Sequence, residues 1–226
     1  MQNIESLLQS VTTGSTSILK TTNNKDSYAA LDLSIDNKEL ATVDITNATD
    51  CESYIQQILN KTNSTIAFGG YLEKRNLYAK NANFSKLEEA ARNIHLGVDF
   101  WADAGAKVIV PVNGVVHSFK NNAVFGDYGP TIILKHTVDG QTFYTLYGHL
   151  ALSSLNDMYV GKEFTKGAVL ATLGTAEVNV GYAPHLHFQI IIDIKDYMGD
   201  YPGVCTTKDL DFYKKNCPNP NLLLKM

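Results

Sequence analysis

From about residue 67 onward the chain runs in short apolar stretches separated by glycine turns, and that pattern leaves few fold classes open. KVIVPVNGVVHSF reads as strand, Asn113-Gly114 turn, strand, the strongest short-range hairpin signal. TIILKHTVDGQTFYTLYGHL repeats the arrangement about Asp139-Gly140, and VGKEFTKGAVLATLG adds units punctuated by Gly161, Gly167 and Gly174. HLHFQIIID, starting at His185, is a further apolar strand. Many short strands with regular turns predict a mainly β protein, with an antiparallel sheet curling towards a barrel or sandwich. One helical insert is expected at FSKLEEAARNIHL, where Ser85 and Glu88 form a capping box.

The first 66 residues differ in texture, being rich in Thr, Asn, Ser and Asp. Ile4, Leu7, Leu8 and Val11 share one helical stripe, and Cys51, Ile55, Ile58 and Leu59 share another. Thr49 and Glu52 have the spacing of a capping box for the second helix. Between them Leu31, Leu33 and Ile35 alternate with polar residues, as in a half-buried strand. Residues 1–66 are therefore read as a small α/β appendage, 67–195 as the main domain, and 196–226 as an irregular, proline-containing tail packed on it.

A net charge of −4 and a pI near 5.8 argue against nucleic-acid binding, which needs a basic surface. No run approaches the roughly 20 apolar residues that span a bilayer. The opening MQNIESLLQSVTTG has neither a basic start nor an apolar stretch of the kind an export signal carries. As the chain reads, a cytoplasmic setting is expected, and an extracytoplasmic one if a leader has been removed. Nothing in the sequence fixes the oligomeric state. Cys51, Cys205 and Cys217 make an odd count without C-x-x-C spacing. Three reduced thiols are the favoured reading, and pairing of Cys205 with Cys217 is the alternative in an oxidising compartment.

Four of the six histidines sit in distinctive settings. His95 and Asp99 lie in H-L-G-V-D, where Gly97 permits a tight path between two potential ligands. His185 and His187 are two apart on a strand and so project from one face. His149 closes a strand in Y-G-H-L. Two imidazoles and a carboxylate leave an open coordination position, as a catalytic zinc requires. The other two histidines would then act on water or substrate there. His117 and His136 stand outside this constellation and are read as structural or exposed. Gln189 shares strand parity with His185 and His187, and a hydrogen bond to a ligand is as good a reading as an ordinary strand position. For Arg75, a substrate carboxylate and a salt bridge to Glu73 are both open. Trp101 most simply packs the strand carrying Asp99, and Tyr144, Tyr147 and Tyr182 read as pocket wall or core.

Taken together, H-L-G-V-D-F, V-x-x-P-V-N-G-V-V, Y-G-H-L and P-H-L-H-F-Q resemble the M23 family of zinc metallopeptidases, the lysostaphin/LytM type. The resemblance runs from about Gly69 to Asp193. It implies that His95, Asp99 and His187 bind one zinc ion, that His149 and His185 flank the zinc-bound water, and that the fold is mainly antiparallel β. It also implies hydrolysis of a peptide bond, in most members within bacterial cell-wall peptides. Y-x-E-x-R-x-x-Y (Tyr71, Glu73, Arg75, Tyr78), P-G-V-C from Pro202 and C-P-x-P-N from Cys217 are similar to a subgroup also found fused to kinase-like and aminotransferase domains. One departure is N-V-G-Y-A before P-H-L-H-F, where the family pattern leads one to expect a tryptophan.

Four other readings share parts of this pattern. A phosphohistidine carrier of the related fold would have H-x-G-x-D but lacks a terminal H-x-H strand. An iron oxygenase triad begins H-x-D or H-x-E and does not account for His149 and His185. A zinc-binding scaffold without activity, or a hydrolase of a small intracellular amide, would keep the same ligands.

Overall fold

The computed structural model describes residues 3–22, 26–75, 91–124, 126–179 and 181–226. Most of the expected helical insert, with Ser85 and Glu88, and Tyr78 of the Y-x-E-x-R-x-x-Y motif lie outside these residues. Within the insert's described residues, 91–96, Ile94–His95 is a strand and the others belong to no helix.

The centre of the molecule is an eight-stranded sheet. Its members, in chain order, are β2 (Tyr28–Ala30), β3 (Ile66–Gly69), β5 (Val98–Trp101), β7 (Gly114–Asn122), β8 (Gly129–Val138), β9 (Gln141–Gly148), β10 (Glu163–Phe164) and β12 (His185–Ile191). They lie side by side as β10-β7-β8-β9-β12-β5-β3-β2, antiparallel throughout except for the parallel pair of β2 and β3. A three-stranded sheet joins β1 (Leu19–Lys20), β6 (Lys107–Ile109) and β11 (Val169–Thr172). A short ladder pairs β4 (Ile94–His95) with β13 (Val204–Cys205). The expected mainly β, largely antiparallel architecture is thus present.

Period-two alternation decides which face carries chemistry. Leu186, Phe188 and Ile190 of β12 and Val98 and Phe100 of β5 enter the main core with Tyr147, Ile132 and Leu134. The intervening His185, His187, Gln189, Asp99 and Trp101 therefore share the opposite face. That face is also covered, since all seven residues of β12 are buried.

Asp139-Gly140 forms the two-residue turn expected between β8 and β9. Both residues are left-handed (φ 48° and 74°), and Val138 pairs with Gln141. Asn113-Gly114 does not form a hairpin, because β6 and β7 belong to different sheets. Gly114 is needed there for space: a Cβ would lie 2.7 Å from two atoms of the His136 ring. The Asn113 carbonyl accepts from His136 Nδ1 at 2.9 Å, and the Asn113 side chain accepts from the Lys166 amide at 2.7 Å. A turn-forming dipeptide has been used for a close approach.

Both expected N-terminal helices form, as α1 (Ile4–Val11) and α2 (Ala48–Thr62). The cap of α2 is Asn47, whose side chain accepts from the Thr49 and Asp50 amides, so the helix starts before the expected Thr49 box. The strand expected over Leu31–Ile35 stops at Ala30. Leu31 and Leu33 are still buried, while Ile35 is 43% exposed beyond a turn. The alternation thus marks burial at Leu31 and Leu33 only, and Leu31 alone of the three hydrogen-bonds a β-strand, through the Phe68 carbonyl. The tail is less irregular than expected, forming β13, α3 (Leu210–Asn216) and α4 (Asn221–Leu224). Helices of seven and four residues are too short to show a 3.6-residue stripe in sequence. All three cysteines are buried free thiols.

His136 is fully buried, and burial pushes its pKa down to about 4, partly countered by the Asn113 carbonyl. Its folded value is therefore below the unfolded one, so the neutral form is favoured by folding. That contribution is complete above pH 6.5 and is lost as pH falls towards 4. In urea unfolding His136 should account for on the order of 3 kcal/mol of the stability lost over this window, beside the losses from the other buried histidines. In His136→Asn the slope should flatten; an unchanged slope would contradict this account.

Candidate active site

The pairing of β5 with β12 puts His187 directly opposite Asp99 and His185 opposite Trp101. His95 comes from the neighbouring short ladder, where it pairs with Val204. One ligand atom each from His95, Asp99 and His187 lies within 4.8 Å of the others. Gly97 makes this possible, since a Cβ there would lie 2.7 Å from His187 Cε1. The glycine of H-L-G-V-D thus clears room for the facing ligand.

Hydrogen bonds at the rear of each ring fix which nitrogen faces inward. His95 Nδ1 is 2.9 Å from the Gly70 carbonyl, which can only accept, so Nδ1 carries the proton and Nε2 presents a lone pair. Gln189 Nε2 donates to the Pro202 carbonyl at 3.1 Å, and this sets the orientation of the amide. Its Oε1 is then the atom 2.9 Å from His187 Nε2, so that nitrogen donates and Nδ1 presents the lone pair. His95 Nε2 and His187 Nδ1 are 2.8 Å apart, and Asp99 Oδ1 is 3.3 Å and 3.2 Å from them. Three electron-pair donors with no proton of their own converge on one point in a buried site. This donor set, two imidazoles and a carboxylate, suits zinc.

The other Asp99 oxygen is 2.5 Å from Arg75 Nη1, and Arg75 also pairs with Glu73. Of the two readings of Arg75, the ion pair is the one the structure contains, at 3% side-chain exposure. Burial alone would raise the Asp99 pKa, but the charge of Arg75 beside it helps hold it well below the usual carboxylate range. Burial takes His95 down to about 4 against the pull of Asp99. Both side chains are thus held in their unprotonated forms.

His149 and His185 stand beside this cluster with ring centroids 4.0 Å apart. His149 follows the end of β9 in a left-handed conformation, φ 61°, uncommon for a residue with a side chain. Its amide donates to the Tyr128 carbonyl at 2.8 Å and its own carbonyl accepts from Gly174 at 3.0 Å, which hold the turn. Burial pushes the His149 pKa well down, with His185 adding to it, and burial lowers His185 too. His185 Nδ1 donates to the Ala183 carbonyl at 2.7 Å, whereas His149 Nδ1 is buried without a hydrogen-bond partner among the described residues.

All five residues line one cleft of about 310 Å³, together with Trp101 and Tyr182. Trp101 does more than pack its strand, since it stacks on His185 at 5.7 Å and 23°. Tyr147 is core and Tyr144 packs against His117, away from the cleft. His136 is also remote, bonded to Asn113 and Thr145. Tyr128 was not anticipated: its ring lies 5.0 Å from His187 and 5.9 Å from His149. A Cβ on Gly148 or Gly203 would strike that ring, and Gly148 in Y-G-H-L was the only hint of it in sequence.

Residues 93–198, slightly less than half of the chain, match the sequence model of peptidase family M23, and the match supports a peptidase. The catalytic domain of the antimicrobial peptidase lysostaphin from Staphylococcus simulans is 22% identical, over 54% of this chain and 80% of its own, with a TM-score of 0.37. A catalytic-domain mutant of the prophage-encoded M23 protein EnpA from Enterococcus faecalis is 15% identical over 61% and 85%, TM-score 0.40. A zinc-containing peptidase from Vibrio cholerae is 24% identical over 47% and 30%, TM-score 0.36. No curated protein sequence matches the chain significantly.

The hydrogen bonds behind the ligands make a specific prediction. Zinc titration should give one ion bound by the wild type and none by His187→Ala. Gln189→Ala should bind it about 10–100-fold more weakly, as loss of a partner behind a ligand usually does. Wild-type affinity in Gln189→Ala would overturn the assigned role of the amide.

Proposed function

We propose that the protein is a zinc-dependent hydrolase of peptide bonds, acting on peptidoglycan-like peptides. The observation that carries this reading is the convergence of His95 Nε2, His187 Nδ1 and Asp99 Oδ1 beside a second pair of histidines, within the stretch that matches family M23. Residues 67–195 are taken as the catalytic unit, with 1–66 and 196–226 built against it.

Zinc, when bound by these three residues, supplies Lewis-acid polarisation of the scissile carbonyl and lowers the pKa of water towards neutrality. The protein's own groups divide the remaining work by tautomer. His185 gives its Nδ1 proton to Ala183, so its Nε2 is an acceptor suited to take the proton from the attacking water. A proton on His149 Nδ1 would be buried without a partner, which favours the tautomer carrying it on Nε2. That N–H is suited to stabilise the oxyanion as charge develops on the carbonyl oxygen. Burial keeps both rings neutral near pH 7, as these roles require. Arg75 and Glu73 of the Y-x-E-x-R segment act behind Asp99, which gives that segment a part in the same chemistry.

Incubation with purified peptidoglycan and with short glycine- and D-amino-acid-containing peptides should release new amines, and chelation should abolish the release. His185→Ala should keep zinc and lose about 10²–10⁴-fold in turnover, and His149→Ala about 10²–10³-fold. Full turnover in both variants, or bound zinc with no amine released from any of these substrates, would contradict the reading.

A further inference from the structure

Part of the cleft's lining is an apolar wall that metal-assisted hydrolysis does not require. Elsewhere the lining includes Arg92, Asp127 and Asp200 together with Tyr128, Tyr197 and Tyr201. On the Trp101 side it is edged by Leu33, Ile45, Ala48, Cys51 and Ala183. Leu33, Ile45, Cys51 and Ala183 belong to the same apolar cluster as Trp101. Trp101 in turn stacks on His185, so this apolar wall begins at one of the two histidines flanking the metal site. Leu33, Ile45, Ala48 and Cys51 all lie outside residues 93–198, the part that matches family M23. Most of the wall is therefore contributed by the N-terminal segment, with Trp101 and Ala183 coming from the matched stretch.

The segment is fixed in place. The Leu33 amide donates to the Glu73 carboxylate at 3.0 Å, Glu73 pairs with Arg75, and Arg75 pairs with Asp99. The Leu31 amide bonds Phe68 and the Ile35 amide bonds Lys74. One chain of contacts thus sets the position of the wall relative to the metal ligands.

The geometry points to a subsite for a branched aliphatic side chain next to the scissile bond, on the His185 side, formed by Trp101, Ala183, Leu33, Ile45 and Ala48. A leucine there would bury its own side chain against this wall, which a glycine cannot do. Burial of such a side chain favours the aliphatic peptide by about tenfold or more. The inference rests on the peptide-hydrolase reading and narrows it, since an all-glycine cross-bridge would not use this wall.

Trp101 is the chain's single tryptophan, so its emission reports occupancy without reference to turnover. The zinc-loaded protein is titrated with pentaglycine and with pentaglycine carrying leucine at each position in turn, while amine release is followed separately. One leucine position should change Trp101 emission and bind at least tenfold tighter than pentaglycine. Ala48→Phe, which fills the wall at the start of α2, should remove that preference, so that the leucine peptides bind no tighter than pentaglycine. Ile45→Ser, should Ala48→Phe not fold, should weaken the preference in the same direction. Equal binding of all peptides, or a leucine preference unchanged in these variants, would overturn the subsite. Leucine-selective binding without amine release would instead keep the subsite and defeat the hydrolase reading; pentaglycine cleavage without leucine preference would do the reverse.

Discussion

The register between β5 and β12 is the constraint on which the rest of the molecule depends. By pairing Asp99 with His187, it sets a carboxylate and an imidazole face to face on a buried sheet surface. A slip of one residue would turn both into the apolar core and bring Phe100 and Phe188 out. The alternation of apolar and polar residues along both strands forbids that slip. Core packing and site geometry are thus one property of the same two strands.

Holding three donor atoms together without protons between them is electrostatically costly, and much of the surrounding structure offsets that cost. Arg75 balances the Asp99 charge from one side. Gly70 and Gln189 draw the imidazole protons outward, leaving lone pairs on the inner face. Glycines at 97, 148 and 203 let the rings of His187 and Tyr128 approach backbone closely. The C-terminal tail takes part as well: Pro202 orients Gln189, and Cys217 lies 3.3 Å from the same amide. The segments before and after the matched core are in this sense components of the site's support.

Much of this was legible in the sequence, for reasons that differ from residue to residue. The strand period of two made the shared face of His185 and His187 readable, and the β8–β9 turn followed from Asp139-Gly140. His95, Asp99, His149, His185 and His187 could be picked out because each stands in a short, distinctive setting, and the fold brings all five to one cleft. Asn113-Gly114 misled because a dipeptide's turn propensity says nothing about which sheet the next strand joins. The cap of α2 and the end of β2 shifted by a few residues, since Asn47 and Thr49 are both competent caps and burial of Leu33 does not require a strand. Tyr128 and the tautomers of the histidines were out of reach, because they depend on contacts such as Tyr128 with Gly203 across 75 positions of chain. The same holds for Trp101, whose stacking on His185 is a tertiary fact with no local sequence mark.

The central claim is that this cluster is built to hold a cation, and its stability in the presence and absence of metal tests that most directly. A ligand that binds only the folded state stabilises it by RT ln(1 + L/Kd), where L is the free ligand concentration, so the unfolding temperature keeps rising with free ligand even after the site is full. Thermal unfolding of the metal-stripped protein, repeated with increasing zinc, should give an upward shift that grows with the logarithm of free zinc and is absent in Asp99→Ala. No shift with zinc, or an equal shift in Asp99→Ala, would contradict the account.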